Sequence, residues 1–493
     1  MQPNRRDILR YVGAVFVGEE GVEVNDVHSQ LNRTKVARVA RPESLEQLRR
    51  TILRARNEGR ALSISGSRHS MGGQQFGTGM VLVDTRSLNR VLAFDPGSRT
   101  IEAEAGIEWP ELLNDLSQRQ NDGTVRLGIV QKQTGADRLS LGGALASNVH
   151  GRGLNLKPII QDVESFELMN ADGEVLRCDR SRNPELFRLA IGGYGLFGVV
   201  ISARLRLIPR VKVRRVVKIA ELDAIPGAFA ERIRDGYLYG DFQFATDSGR
   251  DSFLRQGVFS CYQPVDPSTP LTENPTRFHP EDWAKLTYYS HKHKRLAFDF
   301  YTKRYLATSG QVYYHDWQLS AAYQPNYHAE LDRRMHAKVK ATEMITEIYV
   351  PRSTLVSFME EARLVLREQK ANLIYGTVRL IEKDDESFLR WARQSYACVI
   401  FNLHVEHDDA GIRSAGRTFR TLIDLGIHYD GSFYLTYHRW ATKRQVEICY
   451  PQFREFLAQK LVFDPKEVFQ SDWYVHHKRL FGRSIYADLI SVQ

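Results

Sequence analysis

Gly193, Gly195 and Gly198 reproduce the GxGxxG spacing of a dinucleotide-binding turn, yet the elements around them run in the wrong order. That turn needs a strand before it and a helix after it, so that a helix N-terminus meets the pyrophosphate. Here Glu185 to Ile191 reads as helix and Val199 to Leu207 is a β-rich run. A nicotinamide site of the Rossmann kind is therefore excluded. The glycines have to serve another architecture.

Two further glycine loops precede this one. Gly66-Ser67-Arg68-His69-Ser70-Met71-Gly72-Gly73 follows Ala61–Ser65, a short alternating run that predicts a strand. Three glycines and two serines in eight residues let backbone N–H groups converge on an anion. A histidine at the centre of such a loop points beyond a plain turn. The second loop, Leu141-Gly142-Gly143-Ala144-Leu145-Ala146-Ser147-Asn148-Val149-His150-Gly151-Arg152-Gly153, offers small residues at 142–147 past which a planar or phosphate-bearing ligand fits closely.

Between the loops, the pattern alternates helices with short strands. Val36–Ala40 and Met80–Asp84 read as strands. Ser44 followed by Gln47 has the capping-box spacing, ahead of Leu45, Leu48, Ile52 and Ala55 on one helical face that Gly59 ends. Val91–Phe94 and Thr100–Ala105 flank a turn, Trp109–Gln118 reads as helix, and Ser165–Met169 with Glu174–Arg177 forms a second hairpin. This is a mixed α/β pattern.

Together the three loops resemble the flavin domain of the vanillyl-alcohol oxidase (PCMH-type) family over about Val36 to Pro209. The matching segments are Gly66–Ser70, Ser140–Gly151, Ala171–Glu174 and Asn183 to Gly198. The resemblance implies FAD, held by Ser65, Gly66, Ser67, Arg68, His69, Ser70, Met71, Gly72, Gly135, Ser140, Gly142, Gly143, Ala146, Ser147, Asn148, His150, Gly151, Gly195, Gly198, Val199, Val200 and Ile201. In this family the histidine at the place of His69 often carries the flavin covalently. The implied fold is α+β: residues 1–30 an N-terminal extension, 31–210 the FAD-binding domain of two subdomains, 211–449 a substrate (cap) domain with an antiparallel sheet flanked by helices, and 450–493 a segment returning to the FAD domain.

Beyond residue 211 the glycine loops vanish. Glu347–Pro351, Tyr375–Ile381 and Cys398–Val405 alternate like strands, with helices expected at Ser353–Glu368 and Glu386–Tyr396. This part resembles the cap of the sugar-lactone and alditol oxidases, in which Arg379 matches the substrate-binding arginine. The acidic residue that alditol oxidases carry two positions earlier is Thr377 here. Tyr437 to Lys443 resembles the family's His-Trp-x-Lys element, which makes Lys443 a candidate cation near the flavin. The ending also resembles that of decaprenylphosphoryl-ribose 2-oxidase. In that register Tyr437 replaces its catalytic lysine and Glu347 its flavin-facing glutamine.

Residues 283–318 are rich in aromatic and basic side chains. His291 and His293 lie in that stretch without a neighbouring carboxylate or cysteine, so they read as surface residues and no metal is expected. The stretch also suits peripheral contact with a membrane or a phosphorylated donor. A net charge of +9 is spread through the chain rather than collected in a tail, and no paired Cys/His zinc spacing or basic region with heptads marks a nucleic-acid binder. Four scattered cysteines suit reduced thiols and a cytoplasmic location. Asn4 to Arg10 looks like a degenerate twin-arginine motif, but no small-residue cleavage site follows it.

The expected function is an FAD-dependent oxidoreductase acting on a CH–OH group of a sugar, sugar-1,4-lactone or polyol, with oxygen or another electron acceptor. Glu347 or His438 is the candidate base, Arg379 the substrate-orienting residue and Lys443 the stabilising cation. Three alternatives stay open: a lipid-phosphoryl pentose 2-oxidase, a flavoprotein that only carries electrons, and a basic surface-binding protein.

Overall fold

The computed structural model describes residues 21–120, 126–319 and 327–482; the twin-arginine-like stretch lies outside them. Strands β1 (Val22–Val24) and β2 (Thr34–Val36) pair antiparallel. Strands β3 (Arg38–Ala40), β4 (Leu62–Ser65) and β5 (Val81–Asp84) form a parallel sheet with β5 in the middle. The run 36–40 is thus two strands rather than one. Val36 pairs with Val22, whereas the N–H of Ala37 turns to the carbonyl of Met80 beside β5. Helix α1 (Leu45–Asn57) joins β3 to β4 and buries Leu48, Ile52 and Ala55, while Leu45 stays exposed. Ser44 Oγ accepts from Gln47 N–H, but the Gln47 amide reaches Glu43 rather than Ser44. The capping box is half formed.

The second sheet contains β6 (Val91–Asp95), β7 (Thr100–Glu104), β8 (Leu127–Ile129), β9 (Val163–Met169), β10 (Val175–Asp179) and β11 (Val199–Pro209), in the order β10-β9-β11-β7-β6 with β8 also on β11. Helix α2 (Trp109–Gln118) follows β7. Much of the second glycine loop is a short helix, α3 (Leu141–Ser147), capped by Ser140 and ended by Asn148 in the left-handed region. The third glycine loop lies between α4 (Pro184–Ala190) and β11, so the helix–loop–strand order read from the sequence holds.

The third sheet is antiparallel and has eight strands: β12 (Lys212–Glu221), β13 (Tyr239–Phe244), β14 (Gln256–Pro264), β15 (Val312–Tyr314), β16 (Ala341–Pro351), β17 (Leu373–Ile381), β18 (Tyr396–Glu406) and β19 (Ser432–Phe433), ordered β15-β12-β14-β13-β17-β18-β16-β19. Helix α5 (Ile225–Arg234) sets Phe229 against Phe259 of β14. Side chains alternate across β16. Helices α6 (Pro280–Lys292), α7 (Lys294–Leu306) and α8 (Tyr327–Met335) serve the side of the sheet that carries Glu343, Ile345 and Glu347. Helices α9 (Leu355–Glu368) and α10 (Asp409–His428) cover the other, where Gly426 abuts Ile348.

The helix expected at Glu386–Tyr396 does not form, and residues 382–395 are irregular. Its polar and aromatic residues bind outward instead. Asp384 Oδ2 accepts from the Asn148 amide, Trp391 Nε1 donates to the Asn148 carbonyl, and Phe388 N–H donates to the Arg188 carbonyl. The segment fastens the large sheet to α3 and α4.

The chain then returns through α11 (Lys443–Cys449), α12 (Phe453–Phe463) and α13 (Asp472–Phe481). Leu62 of β4 exchanges backbone hydrogen bonds with Val468 and Gln470. No helix among the described residues is long and apolar enough to cross a membrane.

Candidate active site

The glycine loops come together because their small residues permit it. A Cβ added at Gly66 would fall 1.9 Å from Ser140 Oγ, so the first loop meets the start of α3 only as glycine. Gly198 has φ +144°, and a Cβ there would strike Leu168 at 2.5 Å. Between these loops and the large sheet runs a cavity of about 560 Å³.

Gly66, Ser67, Arg68, His69, Ser70, Met71, Gly135, Ser140, Gly142, Gly143, Ala146, Ser147, His150, Gly195, Gly198 and Val200 line it. Six other expected cofactor residues stand behind that wall. Ser65 ends β4 and its carbonyl accepts from Thr85. Gly72 packs on the Gln74 amide, and Gly151 under the Lys132 carbonyl. Asn148 donates to Asp384 and Ser387 and accepts from Ile160 N–H, while Val199 and Ile201 belong to the core around Leu48 and Ile52.

Glu347 and Arg379 line the cavity from the sheet side; His438 and Lys443 do not. His438 is buried on the other face of β16, its Nε2 3.2 Å from Thr346 Oγ1, among Phe419, Phe433 and Trp440. Burial, with Arg420 nearby, pushes its imidazole down to about 3, which keeps it neutral. Lys443 opens α11 with its ammonium over the Phe481 ring. His291 is not on the surface: it is buried with Nε2 2.9 Å from Glu343 Oε1. The carboxylate missing from its sequence neighbourhood arrives from β16, 52 residues on.

Glu347 is the most heavily solvated carboxylate on the cavity wall, and its solvent is protein. Oε1 accepts from the Tyr437 hydroxyl at 2.9 Å; Oε2 accepts from the Tyr349 hydroxyl at 2.8 Å and faces His150 Nε2 at 3.0 Å. His150 Nδ1 faces the Gly151 carbonyl at 3.0 Å, so both ring nitrogens meet acceptors. Burial raises the Glu347 carboxyl, but His150, Tyr349 and Arg379 outweigh it and hold it below its usual value. Burial and Glu347 push the Tyr437 phenol well above its own.

Beyond Glu347 the wall carries residues that sequence reasoning missed. Asp241 and Gln243 of β13 line the cavity beside Tyr301, Tyr305 and Tyr375. Asp241 Oδ2 accepts from Gln243 and lies 3.4 Å from Thr377 Oγ1, and Arg152 stands 3.8 Å from Oδ1. The sign available was an acid inside the apolar alternation of Tyr239–Phe244. His69 is half-buried, and burial with His28 nearby pushes its imidazole down to about 4.

The residues present fit a long polar cofactor. Arg68 Nε, Gln75 Oε1, Gln133 Nε2 and Thr134 Oγ1, all buried on the loop side, find no hydrogen-bond partner within the protein. Such groups are costly unless a ligand satisfies them.

The loop cradle, the antiparallel cap over it and the shared cavity define an FAD-linked flavoprotein. Residues 36–179 match the family model described as an FAD binding domain. Residues 36–179 are thus an FAD-binding domain of the PCMH type, and FAD is the cofactor. The chain is 30% identical over 172 residues to D-arabinono-1,4-lactone oxidase of Yarrowia lipolytica, covering 34% of this chain and 31% of that protein. It is 28% identical over 170 residues to L-gulonolactone oxidase of Mus musculus, covering 34% and 37%. It is also 26% identical over 238 residues to cytokinin dehydrogenase 4 of Oryza sativa subsp. japonica, covering 45% and 43%. The matches thus span about a third to under half of these relatives' lengths.

Proposed function

We propose that the protein oxidises a CH–OH group of a sugar, a sugar-1,4-lactone or a polyol, and passes the electrons to oxygen or another acceptor. The observation that carries this reading is the pairing of Glu347 with Tyr437 on the cavity wall that also bears Arg379. FAD, when bound, supplies the acceptor for the hydride that leaves carbon. Glu347, ionised at neutral pH, takes the hydroxyl proton directly or through the Tyr437 hydroxyl. Arg379, whose Nε has no partner within the protein, orients substrate oxygens. Asp241 offers Oδ1 as an acceptor for further hydroxyls, which restores at β13 the acid that Thr377 lacks. The resemblance to lactone oxidases supports the donor class; His69 is the proposed point of covalent attachment.

The test is anaerobic mixing of the purified holoprotein with D-arabinono-1,4-lactone, L-gulono-1,4-lactone and a set of alditols, followed by flavin absorbance. Bleaching by a member of the set, abolished in Glu347→Gln, is the expected result. An absorbance that no sugar, lactone or polyol changes overturns the reading. A second reading is favoured by the apolar side chains Trp283, Leu286 and Phe298, which α6 and α7 present to the same cavity. In it the donor is a pentose linked through phosphate to a lipid, and bleaching then requires that lipid-linked sugar in detergent.

A further inference from the structure

Four residues before Glu347 on β16, Glu343 is 1% exposed, and histidines from three other elements converge on it. His291 near the end of α6 places Nε2 2.9 Å from Oε1. His328 of α8 places Nδ1 3.3 Å from Oε2. His404 of β18 stands edge-on to His291, with ring centroids 4.8 Å apart. One ligand atom from each of His291, Glu343 and His404 lies within 4.8 Å of the others.

Hydrogen bonding leaves nitrogens of His328 and His404 to spare. His291 Nδ1 faces the Thr287 carbonyl at 2.7 Å and Nε2 faces Glu343 Oε1 at 2.9 Å, so both ring nitrogens meet acceptors. A second proton on the ring or a metal ion in its place satisfies that contact. Both ring nitrogens of the buried His328, and Nδ1 of His404, make no hydrogen bond. An imidazole whose far nitrogen donates to a backbone carbonyl is the arrangement that orients metal-bound histidines, and Tyr327 donates likewise to the Glu343 carboxylate.

We propose that His291, Glu343 and His404 form a site for one divalent transition-metal ion of the zinc class, with His328 beside it on the other Glu343 oxygen. Three protein ligands of N and O type leave one tetrahedral position to a water or to His328. Its place is structural. The strand rises by about 3.3 Å per residue, which puts the ion roughly 13 Å along β16 from Glu347 and out of reach of the reacting atoms. It ties α6 to β16 and β18, and so holds the aromatic wall of the cavity against the sheet.

The test is the metal content of the flavin-loaded protein after exposure to zinc and gel filtration, measured by mass spectrometry, with cobalt(II) as spectroscopic probe. The expected result is about one zinc per chain. Cobalt then gives tetrahedral d–d bands at wavelengths longer than the flavin absorption, and zinc raises the melting temperature. His404→Ala and Glu343→Gln are expected to weaken zinc binding by about tenfold or more and to lose the cobalt bands. A folded wild-type protein that retains only traces of zinc and shows no cobalt bands overturns the proposal, and leaves a hydrogen-bonded His–Glu cluster. Unchanged affinity in both variants overturns it as well. Should a variant fail to fold, the wild-type titration decides alone, and no readout depends on turnover.

Discussion

The Tyr437 hydroxyl donates to Oε1 of Glu347 across 2.9 Å, while His150 approaches Oε2 of the same carboxylate at 3.0 Å. One side chain of β16 is thereby tied to the second glycine loop and to the stretch after β19. Glu347 reads the relative position of the flavin cradle and the sheet that covers it.

Glu347→Gln keeps the shape and removes the charge. On the proposed role of Glu347 as proton acceptor, a loss of about two to four orders of magnitude in kcat is expected, with substrate binding largely kept. Tyr437→Phe removes one donor from a carboxyl held low by hydrogen bonds and charge. The sign follows directly: with a donor gone, the carboxyl rises. Activity that needs the ionised form then fails at a higher pH as the solution is acidified. Profiles of kcat against pH for wild type and Tyr437→Phe check this, and an acid limb that stays put or moves down contradicts it.

Arg379→Ala is expected to act on binding. Charged hydrogen bonds contribute about 1.5–3 kcal/mol, so KM rises roughly ten- to a hundredfold. Arg379→Lys recovers little of it, because a point ammonium does not replace a planar fork. Asp241→Asn, on the same wall, should discriminate between donors: polyols lose more kcat/KM than lactones, which have fewer free hydroxyls. Equal losses for both classes would remove Asp241 from the specificity argument.

The cradle was legible because backbone approach demands small residues and leaves them in the sequence. Gly66, Gly142 and Gly198 are visible without a structure, and so is the reversed helix–loop–strand order around Gly195. The second half of β16 and most of β17 and β18 were legible from alternation; Ala341–Thr346, with Glu343, was not. What depended on distant pairing was not. The 386–396 segment has helical composition, but its Phe388 and Trp391, with Asp384 just before them, bond to α4 and to Asn148 at the end of α3, which no local pattern encodes. His438 sits one position from Tyr437, and only the register of the turn decides which of the two faces the cavity. His291 lacked a carboxylate for the same reason: its partner is far away in the chain.

Gly66→Ala places a methyl group 1.9 Å from Ser140 Oγ. Ser140 must swing away, and α3 loses the cap that its Oγ gives to Gly143 N–H, worth about 1 kcal/mol. The larger effect is on the cradle, whose two loops separate. Flavin retained after gel filtration is expected to fall sharply. Gly227→Ala, where an added Cβ meets nothing within 4 Å, is the control and should keep its flavin. Full retention in Gly66→Ala would mean that the contact is dispensable.

His69 lines the cavity as a neutral imidazole, since burial pushes it down to about 4. A neutral ring nitrogen is the form able to bond to carbon. Acid precipitation of the wild-type protein should carry yellow colour into the pellet, and His69→Ala should release it to the supernatant. Colour released by the wild type would establish dissociable FAD and confine His69 to contact.

Lys460 and Asp464 form an ion pair with both side chains out of solvent. Asp464 also accepts from the N–H groups of Val468 and Phe469, at 3.0 and 2.8 Å. Those two residues carry the segment that bonds to Leu62 of β4, directly before the His69 loop. Lys460→Met deletes the cation and leaves a buried carboxylate without its partner, a change that costs about 3–5 kcal/mol where it has been isolated. The double variant Lys460→Met/Asp464→Leu removes the stranded charge and should recover part of that loss, but not the two backbone hydrogen bonds. Denaturant unfolding of both, with flavin retention read alongside, separates the effects. Stability restored in the double variant without restored flavin binding is the outcome expected if the C-terminal segment holds the first glycine loop in place; recovery of both together would mean that the pair stabilises the fold without positioning the loop.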